Sequence, residues 1–333
     1  MRRAAFGAAA LLIALGVAYV WERVGATEGA LPLRTLGEYP LTGSASRFDY
    51  ASMDPERGIL WLAHMGDGTV EAFDVKTDRV TLTVPIAPNA SVRGILAAHG
   101  KVYAAAQGLS RVVVLDGTTG RRLTDVPAGD ADGLAYDPVT QRVVVSDEGG
   151  GRDVVIDART DRGIGAVALG GEAGNTQYDR TSRRIVVGVQ TRNELAEIDP
   201  STLRVVRRYP LPGCRFSHSV AVDAEARAVY VGCQQNARLV RLDLRSGRVT
   251  GAGGVGIGVD VMALDPSVHR LYVGSESGIV SVYDVANGGL TRVAQAFLAP
   301  HAHVVAVDPA THRVYVPLQD VGGKPLMRVM EPG

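Results

Sequence analysis

Cysteine is nearly absent from this chain: two residues, Cys214 and Cys233, in 333. There is no C-x-x-C-H motif, which excludes covalently attached haem. No cysteine follows the apolar run near the N-terminus either, which excludes a lipoprotein anchor. Aromatic residues make up 5% of the chain, a thin supply for the stacking platforms of a single-strand nucleic-acid groove. An excess of one charge is missing too, since 35 Lys and Arg balance 35 Asp and Glu. A general attraction to nucleic acid or to an anionic membrane is therefore not indicated. Helical periodicity is lacking everywhere except at the N-terminus.

That N-terminus, MRRAAFGAAALLIALGVAYVWERVGA, places two arginines before an apolar run over residues 4–21. The run is about long enough to span a bilayer, and the leading charges would hold its start inside the cell. Residues 24–26, Val-Gly-Ala, also offer a small-residue cleavage site. Residues 1–26 are thus a signal peptide or a membrane anchor, and both readings predict export. Arg2-Arg3 lacks the rest of a twin-arginine pattern. Residues 27–34 read as a linker, and residues 35–333 as the domain that follows.

What fills the remainder is one repeated unit. Its plainest copy covers residues 260–288, DVMALDPSVHRLYVGSESGIVSVYDVANG: an apolar run, an Asp-Pro turn, a second run, a polar loop and an alternating strand. Aligned on the aspartate that ends the first run, copies fall at Asp54, Asp137, Asp179, Asp223, Asp265 and Asp308, with spacings of 42, 44, 42 and 43 residues from Asp137 onward. The gap of 83 before Asp137 hides another copy, whose turn has shrunk to His99-Gly100. In the fifth copy the strand-like segments are 219–222, 228–233, 238–243 and 248–255. Four strands in a period of roughly 40–50 residues define a propeller blade. The expected fold is therefore all-β: a seven-bladed β-propeller of four-stranded blades. The last copy lacks a fourth strand, and residues 35–41, TLGEYPL, match the fourth strands of other copies. An N-terminal strand should complete the C-terminal blade and close the ring.

Other signals are weaker. Gly251-x-Gly253-x-x-Gly256 matches a dinucleotide fingerprint but links propeller strands instead of opening a helix, so it reads as a glycine-rich inter-blade loop. His99, His269 and His312 occupy equivalent surface turns. In a hairpin turning near Glu225, Cys233 should lie opposite His218, with Cys214 four residues farther out and able to fold back to it. An oxidising compartment permits that disulfide; the alternative is two unpaired small residues.

Candidate chemistry follows from the repeat. Five residues before each aligned aspartate the chain enters the innermost strand, at the mouth of the central channel. Blade by blade this slot holds Asp49, Arg93, Asp132, Gly174 with Asn175 beside it, His218, Asp260 and His303. Four blades that are consecutive around the closure supply His218, Asp260, His303 and Asp49. Two imidazoles with carboxylates suit a divalent metal, the one cofactor the pattern suggests. His64 and His301 lie in loops on the same face as further or supporting ligands. The alternative is a water-filled mouth in which Asp49 and Asp132 pair with Arg93 between them. Loops after the second strand add polar groups, among them Glu148, Gln190, Gln234 and Glu276. Arg47, Phe48, Arg215 and Phe216 precede the slot and either close over a ligand or pack at blade junctions and rims. Ser217-His218 makes no triad, because nothing in the sequence sets an acid behind the histidine.

The segments RAVYVGCQQNARLVRLDLRSGRV, HRLYVGSESGIVSVYDVANG and HRVYVPLQD resemble the Tyr-Val-(Thr/Ala)-Asn repeats of exported bacterial propellers, the YncE-like or YVTN-repeat family. The likeness covers roughly residues 35–331, although Gly, Ala or Pro follows Tyr-Val where the family has Thr-Asn. It implies the propeller fold and a periplasmic location; DNA binding has been proposed within the family, and related propellers include lactonases and lyases. The leading expectation is a non-catalytic propeller that binds a small molecule or a periplasmic protein at the channel mouth. The second is a metal-assisted enzyme of lactonase or lyase type built on His218, Asp260, His303 and Asp49. Single-stranded DNA binding ranks last, and membrane contact is expected only through the N-terminal segment.

Overall fold

The burial pattern along each strand decides where it sits. Second and third strands such as Arg142–Asp147 and Arg111–Asp116 are buried almost end to end. They are apolar on both faces because a neighbouring blade covers each face. Fourth strands such as Arg79–Pro85 alternate between exposed and half-buried residues, as an outer strand with one wet face should.

In a computed structural model, which describes residues 30–333, these strands form seven antiparallel sheets of four. The fifth blade holds Ser217–Asp223, Ala228–Cys233, Arg238–Asp243 and Arg248–Gly254, within two residues of the expected bounds. Apolar clusters fill the junctions between blades. One of them packs Trp61, Val70 and Ile86 of the first blade against Val92, Val102 and Val113 of the second.

The ring closes as expected. Strand Leu33–Pro40 pairs antiparallel with Leu326–Pro332, with Leu33 opposite Pro332 and Pro40 opposite Leu326, as the outermost strand of the seventh blade. It begins two residues earlier than Thr35. The apolar run 4–21 and the cleavage site 24–26 lie outside the described residues. Among the described residues no helix is long and apolar enough to cross a membrane.

The aligned aspartates, which revealed the period, are local turn-makers. Each folds a carboxylate oxygen on to a backbone N–H two or three residues on, as Asp137 does to Val139 (2.9 Å) and Asp308 to Ala310 (3.0 Å). His99, His269 and His312 sit nearby in the left-handed region. The glycine-rich run is mostly strand instead of loop, because Gly251, Gly253 and Gly254 belong to Arg248–Gly254. A side chain at Gly253 would strike the Tyr283 ring of the next blade.

Candidate functional site

A single extra residue per blade builds the channel mouth. In the second to sixth blades the pairing between first and second strands slips at the slot identified from the repeat. Val92 faces Ala106 but Ile95 faces Ala104; Ala131 faces Asp147 but Leu134 faces Val145. The same slip falls at Gly174-Asn175, at His218 and at Asp260-Val261. Such a bulge drops one residue out of the ladder and re-aims its side chain. The first blade has the equivalent geometry, since Ala63 accepts from the Asp49 amide (3.0 Å) and donates to the Tyr50 carbonyl (2.9 Å). Backbones crowd here: a Cβ on Gly174 would lie 2.6 Å from the His218 carbonyl oxygen. The fourth blade therefore carries glycine in the slot, with Asn175 as its polar group.

The slot residues Asp49, Arg93, Asp132, His218 and Asp260 line one cavity of about 380 Å³, together with Arg47 and Tyr50. The first residue after the second strand forms another tier. It is Met65, Gln107, Glu148, Gln190, Gln234, Glu276 and Gln319 in blade order, and Met65, Glu148, Gln234 and Glu276 reach the same cavity. Asn175 is buried and opens instead on a larger cavity of about 530 Å³ farther along the channel, among mostly apolar neighbours such as Val220, Met262 and Val305.

Two relays organise the charges. In the first, the side-chain nitrogen of Gln190 donates to Glu148 Oε1 and to the Ala173 carbonyl, both 2.8 Å. Its oxygen is therefore left to accept from His218 Nδ1 at 2.8 Å. His218 Nε2 lies 3.2 Å from Asp260 Oδ1, so both ring nitrogens donate and the ring is an imidazolium. Burial alone would lower its pKa, but the Asp260 contact and the nearby Asp132 and Glu148 charges push it up to about 9. In the second relay, Arg47 Nη2 contacts Asp49 Oδ1 (2.6 Å), Glu276 Oε1 (2.6 Å) and, more distantly, Asp260 Oδ2 (3.5 Å). Burial pushes the Asp49 carboxyl up, yet the His303 imidazole and Arg47 guanidinium beside it hold it below its ordinary value.

Asp132 stands outside both relays. Its Oδ1 is buried without a partner. Burial, reinforced by the Asp49 charge, pushes the carboxyl up to about 7. Arg93 does not bridge Asp49 and Asp132, as the water-filled alternative required; it turns to Glu148 Oε2 at 2.7 Å.

Three of the four expected metal ligands converge. One carboxylate oxygen each from Asp49 and Asp260 and a nitrogen of His303 lie within 4.8 Å of one another, on buried side chains. His218 adjoins them, but its two nitrogens are already engaged. His64 is excluded from the group: it is buried between Glu71 Oε1 (3.0 Å) and Ser46 Oγ (2.9 Å). His301 is exposed, with Nδ1 3.4 Å from Glu276.

Phe48 does not close over the mouth. It is buried and stacks on His64, ring centroids 4.0 Å apart, so the junction-packing reading holds. Arg215 and Phe216 stay on the rim outside the cavity lining, their backbone amides held by Asn236 Oδ1 (3.2 Å) and Asn193 Oδ1 (2.6 Å). Cys214 and Cys233 are disulfide-bonded, Cα atoms 5.2 Å apart. Cys233 faces Ser217 instead of His218, because the bulge at His218 advances the register by one residue. The bridge ties the segment leading into His218 to the strand that ends just before Gln234. Ser217 is no nucleophile either, since its hydroxyl is buried and its single proton is shared between the Val189 and Glu194 carbonyls, both at 3.1 Å.

The sequence pointed to the slot but not to the bulge that aims it. The tier of Gln and Glu was legible as the polar loops after the second strands, and it falls at one fixed position in six of seven copies.

No protein-family model matches the chain, and no curated protein does. Solved structures match in shape. One is a chain of hydrazine synthase from Kuenenia stuttgartiensis, with a TM-score of 0.71 and 16% identity over 88% of this chain and 96% of that one. At that identity the likeness is one of architecture alone: this chain is a β-propeller.

Proposed function

We propose that this chain is an exported, YncE-like binding propeller that holds a small, polar, cation-bearing molecule at the channel mouth without converting it. Asp132 carries the reading. A buried carboxylate with an unpartnered oxygen, on the wall of a 380 Å³ cavity, is costly unless a ligand completes it. The volume lies in the range of small-molecule sites. The arginines that line the cavity, Arg47 and Arg93, are bound to acids, which leaves no spare arginine or lysine in its described lining to grasp an anion. That balance argues against nucleic acid, as does the burial of Phe48, which removes a stacking surface. The Cys214–Cys233 bridge supports export, since disulfides persist in oxidising compartments.

A thermal-shift and calorimetric screen of small amines, amino alcohols and polyols tests the proposal. At least one amine should bind wild type and lose about ten- to a hundredfold in affinity in Asp132→Asn, the loss of about 1.5–3 kcal/mol expected for one charged hydrogen bond. If no amine binds, or binding is unchanged in Asp132→Asn, the reading fails.

A further inference from the structure

His303 is held in an arrangement that its own neighbours leave unfinished. Its Nδ1 lies 2.8 Å from the His301 carbonyl oxygen. A carbonyl only accepts, so Nδ1 carries a proton and Nε2 is the ring position left to meet a ligand. That Nε2 is buried and without a hydrogen-bond partner. It faces Asp49 Oδ1 and Asp260 Oδ2, both at 3.8 Å. Two carboxylate oxygens and one ring nitrogen therefore face one small space, the nitrogen too far from either oxygen to hydrogen-bond.

We infer that Asp49, Asp260 and His303 form a binding site for one divalent transition-metal ion, of the zinc or manganese class, on the wall of the channel mouth. The donor set of one imidazole and two carboxylates suits such ions. The surroundings are those of ligating side chains: a metal-bound histidine typically gives its other N–H to a backbone carbonyl, and ligating carboxylates are themselves hydrogen-bonded. Here the His301 carbonyl orients His303. His218 occupies Asp260 Oδ1 and leaves Oδ2 with only the long Arg47 contact at 3.5 Å, so the histidine expected as a ligand acts as a positioning residue. Bonds of about 2.0–2.2 Å to a four-coordinate ion put ligand atoms about 3.3–3.6 Å apart. The two 3.8 Å separations from His303 thus need a few tenths of an ångström of closure, and the aspartate oxygens, within 4.8 Å of each other, need no more than about 1.5 Å. Arg47 offsets only part of the charge on the two aspartates. Because it already contacts Glu276 at 2.6 Å, an ion can displace it on to that glutamate. The remaining coordination positions open on the cavity through Asp49 and Asp260. The inference rests on the proposed ligand site only in sharing this mouth.

The test uses the full chain, stripped with a chelator and titrated with cobalt(II), with visible absorption and elemental analysis as readouts. Wild type should take up about one ion per chain, displaceable by zinc. His303→Gln and Asp49→Asn should lose the band and the ion, whereas Asp132→Asn should keep both. No saturable uptake by wild type overturns the inference, as does a band that survives in both ligand variants. Circular dichroism checks that the variants fold. If they do not, pulsed EPR of copper-loaded wild type decides: a single coupled imidazole is expected, and none, or more than one, refutes the three-residue set. Loss of amine binding in Asp132→Asn with metal retained supports both proposals. Amine binding without metal uptake refutes only this one, and metal uptake without amine binding refutes only the other.

Discussion

Asp153 should be a liability, and replacing it with valine should stabilise the protein in a pH-dependent way. The residue is second in the third strand of its blade. There it pairs with Ser146, and neither of its carboxylate oxygens finds a partner. Equivalent pairs elsewhere set an aliphatic residue against a small one: Val70 with Ala63, Val112 with Ala105, Leu195 with Gly188, Leu239 with Gly232 and Val280 with Gly274. Burial, with a smaller contribution from the Asp147 charge, pushes the Asp153 carboxyl from 3.8 up to about 8. The unfolded chain releases its proton near 3.8 while the folded chain keeps it until about pH 8. Stability is therefore lost as pH rises through that window, at about 1.4 kcal/mol per pH unit and up to about 4 kcal/mol at pH 7. Asp153→Val removes the titrating group, so its advantage over wild type should be small near pH 4 and grow steadily towards pH 8. Urea unfolding of both proteins at several pH values in that range measures it. A valine that overpacks would lower the whole difference by about 1–3 kcal/mol without changing its slope. Parallel stability curves would show that Asp153 is not a desolvated acid, and the argument would fail.

Two further outcomes follow from the same reasoning. His218 has a folded pKa raised from 6.5 to about 9, so its contribution is complete below pH 6.5 and drains away as pH rises through 9. The ceiling is about 3 kcal/mol; an NMR titration of this imidazole near 6.5, or an equal pH slope in His218→Gln, would contradict the Gln190–His218–Asp260 relay. Deleting residues 27–42 removes the closing strand and bares the edge of Leu326–Pro332. The melting temperature should then drop by about 5–10 °C with a broader transition, and a truncated protein that melts like the full chain would refute the seam.

The architecture was legible because it is written seven times. Turn aspartates such as Asp137 and Asp265 recur at a nearly constant interval, and the odd strand at residues 35–41 had to go to the blade that lacked one. The site was legible only to the level of the slot. A bulge adds one residue to a strand without altering the blade period by more than the natural scatter, so the re-aiming of Asp132 and His218 left no trace in the spacing. The partners of Arg47 and Arg93 were hidden for another reason. Each arginine reaches an acid on another blade, Glu276 or Glu148, and several acids stood equally near in the repeat alignment. Phe48 illustrates a limit of composition: an aromatic before the mouth looks available until its stacking on His64 buries it.

The pairing of Leu33 with Pro332 has a bearing on how the molecule is made. Residues 33–40 have no mate until residues 326–332 emerge, so the six blades between them must be synthesised while one extended stretch waits. Contacts of such long sequence separation slow folding, and whatever attends the nascent chain must shield that stretch for the duration. Because the Gly333 amide donates to the Pro32 carbonyl at 3.1 Å, a circularly permuted gene joined there and reopened between Pro127 and Ala131 would give the same object on a different timetable. Its refolding rate, set beside that of the natural order, would isolate the cost of the wait.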